Sequence, residues 1–203
     1  MQPTRSWSFH GTRGQVHAQA WDVEGHGPRY VAVLSHGYGE HIGRYHHVAR
    51  ALHTHGAAVY GLDHLGHGRS TGERVLIDDF AETVADLRTL ITHAMEENAG
   101  TPVVLIGHSM GGMIAAWYAQ MHGADLAALV LSGPVLGRWE AAEQLAGADP
   151  IPDTPVDPTT LSRDERVGAD YVADPLVWHG PFKAITISSI LRALETINGG
   201  ASL

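Results

Sequence analysis

The sequence predicts an α/β fold, with a mostly parallel, doubly wound sheet and helices on both of its faces. Three observations support this prediction. Continuously apolar runs of strand length recur along the chain, as expected of strands that are buried on both faces. Segments with the periodicity of amphipathic helices separate these runs. The length of 203 residues suits one domain with a single large core.

Each element follows from a local pattern. Two runs near the start alternate between polar and apolar residues, as edge or antiparallel strands do, at 6–10 and 16–22. The buried strands are predicted at Tyr30–Ser35, Ala57–Asp63, Val103–Ile106 and Leu126–Ser132. Amphipathic helices are predicted at Arg44–His55, from Phe80 to Met95 after the N-cap residue Asp79, at Met110–His122 before Gly123, and at Ala184–Ile197.

The alternation of strands and helices stops after Gly133. Seven of the ten prolines lie between Pro134 and Pro181, and four of them fall in Pro150–Pro158. This density of proline predicts an irregular insertion with short helices rather than another strand–helix unit. We therefore expect the core at 1–133, the insertion at 134–183, and a helix that returns to the core within 184–203.

Composition excludes several classes of function. With a formal net charge of −9, the chain has no basic stripe, so we expect no nucleic-acid partner and no strong membrane association. The absence of cysteine excludes disulfides and thiolate metal sites. No apolar run approaches the ~20 residues of a membrane span, and the start of the chain lacks the apolar core of a signal peptide. The expected location is cytoplasmic.

The most informative motif follows the predicted strand at 103–106. Gly107-His108-Ser109-Met110-Gly111 matches the pattern G-x-S-x-G and stands between a strand and a helix, the context in which this pattern places a nucleophilic serine on a sharp turn. Gly107 and Gly111 lack the Cβ atoms that would collide inside such a turn. A serine that only caps the helix is the alternative. The position after a buried strand favours a nucleophile, and with it acyl transfer.

A second motif supplies candidates for the oxyanion hole, which consists of two converging backbone N–H donors. One donor is the residue after the nucleophile, Met110. The other comes from a loop after an earlier strand, which here reads His36-Gly37-Tyr38, and we assign it to Tyr38. Alone, this loop would be interpreted as a glycine-rich turn. Together with the elbow around Ser109, it indicates an oxyanion hole.

Asp63, His64 and His67 form a third cluster, whose composition is compatible with a metal site. Metal-dependent hydrolases need further histidines and a bridging carboxylate at set spacings, which we do not find in the sequence. We therefore interpret the cluster as a turn held by hydrogen bonds. The glycine pairs 37/39 and 66/68 do not complete a dinucleotide-binding motif, so we expect neither a metal nor a cofactor.

Several ordered motifs together resemble those of the monoacylglycerol lipases and related lysophospholipases of the α/β-hydrolase superfamily. They lie at 36–41, 63–70, 107–112, 131–134, 161–164 and 171–180. The resemblance implies that Ser109 is the nucleophile of an esterase for a small-molecule acyl ester, with the Tyr38 and Met110 amides as the oxyanion hole. It assigns supporting positions to His36, Gly37, Gly107, His108 and Gly111. The insertion becomes a cap over an acyl-chain pocket, without the long apolar helix that membrane docking would use.

In this superfamily the acid and the histidine of the triad follow the serine in the chain. The strand–loop segments that would carry them do not occur before Leu203, so we expect the acid and base of the triad to be absent from this chain. The available substitutes are His179 with Asp174 or Asp170, His108, and His36, and each fits a structural position better. Without a base the serine is a weak nucleophile. We also expect the strand at 126–132 to be an open apolar edge that makes the chain poorly soluble or partly unfolded.

Two hypotheses for the function follow. The first is a serine ester hydrolase that cleaves monoacylglycerol-like or lysophospholipid-like esters through an acyl-enzyme on Ser109. The second is a truncated, weakly active or inactive remnant that at most binds acyl ligands. A cofactor-free haloperoxidase or an acyltransferase would use the same elbow, whereas a dehalogenase would need aspartate at position 109.

Overall fold

A computed structural model describes residues 1–23, 25, 27–148, 152 and 155–203. Its centre is a six-stranded sheet with the strand order β1-β2-β4-β3-β5-β6. The strands are β1 (Arg5–His10), β2 (Gln15–Trp21), β3 (Tyr30–Ser35), β4 (Ala57–Leu62), β5 (Val103–His108) and β6 (Ala128–Ser132). All of them lie where the sequence patterns predict strands, with ends that differ by one or two residues.

The pairing changes from antiparallel to parallel across the sheet. β1 pairs antiparallel with β2, and β2 pairs antiparallel with β4. β3 lies parallel to both β4 and β5, and β5 lies parallel to β6. This arrangement confirms the predicted fold class. Because Ser35 at the end of β3 is paired with Gly107 near the end of β5, the loops that follow these two strands meet at one edge of the sheet.

The helices also agree with the sequence patterns. In the described part of the chain they are α1 (His46–Thr54), α2 (Phe80–Glu97), α3 (Met110–His122), α4 (Glu140–Ala146), α5 (Glu165–Ala173) and α6 (Ala184–Asn198). The predicted helix at 44–55 begins as a short 3₁₀ helix, Ile42–Tyr45. The His41 imidazole caps this turn by accepting the Gly43 N–H. Further 3₁₀ turns lie at Gly123–Asp125 and Pro158–Thr160.

Helices cover both faces of the sheet, as predicted. On one face α2, α3 and α6 bury the larger apolar cluster, which includes Val31 and Val33 of β3. On the other face α1 packs on a smaller cluster that includes Ala32 and Leu34. The alternation of β3 side chains between the two clusters is the geometry of a strand that is buried on both faces.

The segment after β6 carries α4 and α5, in agreement with the short helices predicted for the insertion. Of the proline-rich stretch Pro150–Pro158, residues 150, 151, 153 and 154 lie outside the described residues. The boundaries at 133/134 and 183/184 stay predictions. Among the described helices, none combines the length and the apolar character needed to cross a membrane.

Candidate active site

Ser109 occupies a strained turn between β5 and α3. Its backbone has φ 53° and ψ −118°, in a region that non-glycine residues rarely adopt. The turn is held from both sides, because the Ser109 N–H donates to Ser132 O over 3.0 Å and Val135 N–H donates to Ser109 O over 3.1 Å. The Ser109 side chain makes no capping hydrogen bond to α3. The helix-cap interpretation of this serine is therefore wrong.

The two glycines of the motif let the turn close. A Cβ atom at Gly111 would lie 2.5 Å from His36 O and closer still to Ser35 O. A Cβ atom at Gly107 would lie 2.7 Å from the Gly112 Cα and would also overlap the Gly111 carbonyl. Real Cβ atoms do not approach backbone atoms this closely. The start of α3 is thus pressed directly against the chain that leaves β3.

This close approach places the loop after β3 beside the nucleophile. A Cβ atom at Gly37 would lie 3.3 Å from the Ser109 Cβ and 3.5 Å from the His108 Cδ2. Tyr38 and Met110, the predicted oxyanion donors, line the same cavity as Ser109. Neither amide takes part in the backbone hydrogen bonds found among the described residues. The two N–H groups therefore stay candidates for the oxyanion hole.

Glu40 is a site residue that the sequence analysis did not single out. Its Oε1 accepts the Gly37 N–H and the Tyr45 O–H, each over 2.7 Å. The carboxylate therefore fixes the peptide next to Tyr38 from within the loop. A carboxylate three residues after a glycine turn is the signal that could have identified it, because that spacing allows such a side chain to fold back on the turn.

Three buried imidazoles lie beneath this loop. The His36 ring is 4.5 Å from that of His64 and 5.3 Å from that of His67. His36 Nδ1–H donates to Gly37 O over 2.8 Å, and its Nε2 accepts the His64 N–H over 3.0 Å. His67 Nδ1–H donates to Leu65 O over 3.1 Å. These partners define the neutral tautomers of His36 and His67, with hydrogen on Nδ1.

Burial lowers the pKa of all three histidines, because a charged imidazole loses its hydration there. The pKa of His67 falls to about 3, first through burial and then through the neighbouring His36. The pKa of His64 lies well below its ordinary value for the same reason. Burial also lowers the pKa of His36, against the opposing effect of Asp63. The cluster is therefore neutral at physiological pH.

Asp63 joins the chain that follows β3 to the chain that follows β4. Its two carboxylate oxygens accept the N–H groups of Ile42 and Arg69, over 2.7 and 2.8 Å. These contacts agree with the interpretation of residues 63–67 as a turn held by hydrogen bonds. Within the described ranges, no group of three or more histidine and carboxylate side chains is arranged to hold a metal ion.

A cavity of about 580 Å³ opens above Ser109. Much of its wall is apolar and comes from the core and the insertion together: Leu34, Val48, Ile106, Met113, Val135, Trp139, Val156, Leu161, Val167, Phe182 and Ile190. Glu40, Arg44, Tyr45 and His47 form a polar part of the wall. The cavity matches ordinary ligand pockets in size and in its mixture of apolar wall and few polar groups.

None of the histidines proposed as substitute bases is hydrogen-bonded to Ser109 Oγ in the described part of the chain. His108 Nδ1–H donates to Ser132 O over 2.9 Å. His179 binds the backbone oxygen of Asp174, whose carboxylate is instead bound by His41 Nε2 over 2.8 Å. The predicted pairing of His179 with the Asp174 carboxylate is therefore not formed. His36 is committed to backbone partners through both ring nitrogens.

A strained serine at a strand-to-helix turn, above the carboxyl ends of a mostly parallel sheet, defines the class of the α/β hydrolases. Comparison with known families agrees. A family model described as "Serine aminopeptidase, S33" (Hydrolase_4) matches residues 26–202. The chain belongs to this family.

Individual relatives confirm the resemblance to monoacylglycerol lipases. The chain is 44% identical over 176 residues to a monoacylglycerol lipase of Mycolicibacterium smegmatis, covering 82% of this chain and 61% of the relative. It is 34% identical over 180 residues to monoglyceride lipase of Homo sapiens, covering 84% and 59%. The chain thus spans about three fifths of the length of these two curated relatives.

Solved structures agree on the fold. A monoacylglycerol lipase of Paleococcus ferrophilus superposes with a TM-score of 0.72 at 28% identity, over 89% of this chain and 70% of that one. A soluble variant of monoglyceride lipase from Saccharomyces cerevisiae, in complex with a substrate analog, superposes with a TM-score of 0.81 at 20% identity, over 95% and 68%.

Proposed function

We propose that this chain carries the nucleophile, the oxyanion hole and the acyl pocket of a monoacylglycerol-lipase-type serine ester hydrolase. The observation that carries the proposal is the conformation of Ser109. Its backbone is strained, its side chain caps nothing, and it faces a cavity with a largely apolar wall. Strain of this kind persists where the surrounding structure imposes it, and it is concentrated at functional sites.

The reaction follows from the atoms around Ser109. Its Oγ attacks the ester carbonyl and loses its proton to a base, and the carbonyl oxygen becomes an oxyanion. The Tyr38 and Met110 N–H groups donate to that oxyanion. The C–O bond to the alcohol then breaks, the alcohol leaves with a proton, and an acyl group stays on Ser109. Water hydrolyses this acyl-enzyme to release the carboxylic acid.

The polar part of the cavity favours an uncharged headgroup over a phosphate. Arg44 is the cationic side chain among the lining residues with a permanent charge. Its Nε lies 3.4 Å from Glu40 Oε2, and its Nη1 lies 4.0 Å from Asp174 Oδ2. Since its charge is already matched by two carboxylates, a phosphate placed there would meet net negative charge. Monoacylglycerol-like esters are therefore the proposed substrates, ahead of lysophospholipids.

A hydrolase remnant that binds acyl ligands without turnover is the alternative. It is favoured by the absence of any described imidazole bonded to Ser109 Oγ. We assign neither the acid nor the base of the triad to a residue of this chain. The two functions differ in the reactivity of Ser109 and not in ligand binding.

The test compares two proteins. One is the chain itself, and the other is the chain with the segment that follows the matched region of the Mycolicibacterium smegmatis relative appended. Each is assayed for hydrolysis of a monoacylglycerol and for labelling by a fluorophosphonate. We expect the extended protein to hydrolyse the ester and to be labelled, and Ser109→Ala to abolish both. Retained hydrolysis in the Ser109→Ala variant would exclude Ser109 as the nucleophile. An extended protein that binds the monoacylglycerol but does not hydrolyse it would favour the remnant.

A further inference from the structure

Three contacts at regular intervals join the end of the insertion to the loop after β3. His41 Nε2–H donates to Asp174 Oδ2 over 2.8 Å. Trp178 N–H donates to Gly39 O over 2.7 Å. The Phe182 ring stacks on the Tyr38 ring, with centroids 4.5 Å apart and planes inclined by 19°. We call residues 174–182 the return segment.

The order of these contacts is informative. Residues 174, 178 and 182 of the return segment contact residues 41, 39 and 38 of the loop, so the two segments run in opposite directions. One contact uses a carboxylate, one a backbone N–H and one an aromatic face. Chemically different contacts along the whole loop fix its position and orientation more completely than one contact could.

The return segment is itself braced. Leu176 N–H donates to Asp174 Oδ1 over 2.9 Å, which holds the turn after α5. The Trp178 indole donates to Pro181 O over 2.9 Å. Directly after the segment, the Thr186 hydroxyl donates to Val75 O over 2.8 Å and accepts the Ile77 N–H over 3.0 Å. The loop after β3 is therefore held against a segment that the core fixes at its far end.

Tyr38 connects this support to the proposed chemistry. Its backbone N–H is a proposed oxyanion donor, and its side chain is sandwiched, with Phe182 stacked on its ring and the His67 ring edge-on at 5.9 Å. Because the ring is packed on both sides, the Tyr38 Cα has little room to shift. A shift of the Tyr38 backbone, allowed when the packing against Phe182 is lost, would move its N–H relative to Ser109.

We propose that the return segment acts as a splint for the oxyanion loop, and that Phe182 is a positioning residue that holds the Tyr38 amide toward Ser109. The inference rests on the proposed function for the role of that amide. The return segment and the oxyanion loop then move together. A substitution in the return segment therefore changes the stabilisation of the transition state as well as access to the cavity.

The test uses variants at two points of the splint. Phe182→Leu removes the stack and keeps an apolar side chain, whereas Phe182→Tyr retains it. Asp174→Asn weakens the bond to His41 at a residue outside the cavity lining, while its side-chain oxygen can still hold the turn. Val172→Ala and Asp170→Asn are matched controls, because both lie exposed on α5 next to the return segment.

Amide hydrogen exchange of the chain gives a readout that needs no turnover. We expect Phe182→Leu and Asp174→Asn to accelerate exchange in a peptide covering 36–42, with β3 unchanged, and Phe182→Tyr and both controls to match the parent protein. Unchanged exchange at 36–42 in both splint variants would overturn the proposal. Exchange that rises equally in β3 would also overturn it, since that result indicates general destabilisation.

Kinetics of the extended, active protein test the functional part. For a short acetyl ester, which fills little of the cavity, we expect kcat to fall about three- to tenfold in Phe182→Leu with KM unchanged. Phe182→Tyr should restore kcat. A change in KM alone would show that Phe182 only contacts substrate. If the extended parent protein has no esterase activity, the proposed function fails, while hydrogen exchange still decides whether the splint exists.

Discussion

The buried imidazole of His67 gives a quantitative prediction for stability against pH. In the folded chain its pKa is about 3, lowered first by burial and then by His36 and Arg74. In the unfolded chain the pKa returns to about 6.5. Between these two values the unfolded state binds a proton at this residue and the folded state does not. Stability is therefore undiminished above about pH 6.5 and is lost progressively as the pH falls toward 3.

The size of the effect follows from linkage. Each pH unit inside this window is equivalent to about 1.4 kcal/mol, so lowering the pH from 6.5 to 5 costs about 2 kcal/mol through His67 alone. His36 and His64 act in the same direction, because burial lowers their pKa values as well. A loss of this size is a large fraction of the stability of an ordinary domain.

The assay is urea unfolding of the parent chain and of His67→Asn at pH 7.5 and pH 5. Asparagine cannot titrate, and its amide can donate to Leu65 O as the imidazole does. The carboxylates and the other histidines contribute to both proteins, so their effects cancel in the comparison. We expect the loss of unfolding free energy between the two pH values to be about 2 kcal/mol smaller in the variant. Equal losses in the two proteins would refute the assignment of a neutral buried His67.

Two further predictions concern backbone fit and anchoring. Gly111→Ala should lower the unfolding free energy by about 3 kcal/mol, since its Cβ would overlap two carbonyl oxygens. Gly123→Ala, with open space around its Cβ, should stay within about 1 kcal/mol of the parent. Equal denaturant midpoints for the two variants would contradict the predicted overlap at Gly111. Thr186→Val should cost about 1–3 kcal/mol because the buried Ile77 N–H loses its acceptor, and Thr186→Ser should recover most of it in the same urea titration.

The sequence predicts the strands well because each buried strand is a continuous apolar run between turn signals. The helices follow from periodicity in the same way, and Gly123 correctly marks the end of α3. The start of α1 is less regular than predicted, since the cap on the turn before it is a histidine, which is not among the usual N-cap residues. Local sequence patterns therefore predict which strands and helices form. The exact first turn of a helix depends on which side chain accepts hydrogen bonds from its free N–H groups.

Some features of the site could likewise be predicted from sequence, and others could not. The elbow could be found from sequence because its residues form one short motif between a buried strand and a helix. Glu40 and the pairing of His41 with Asp174 could not, because Asp174 is 133 residues away and only the folded insertion brings it there. The tautomer of His36 likewise depends on a partner in a different loop, the His64 N–H.

The Ser109 turn and the oxyanion loop are therefore held by different parts of the chain. The nucleophile turn is held mainly by the core: Gly107 packs on the start of α3, Gly111 packs on the backbone that leaves β3, and the Ser109 N–H donates to Ser132 O at the end of β6. The oxyanion loop is determined by distant contacts with the imidazole cluster below it and the return segment beside it. A substitution in the return segment therefore acts on the loop that carries Tyr38 without removing any of these contacts of the Ser109 turn. Variation of the return segment can alter the substrate pocket and the oxyanion hole together, while the position of Ser109 stays the same.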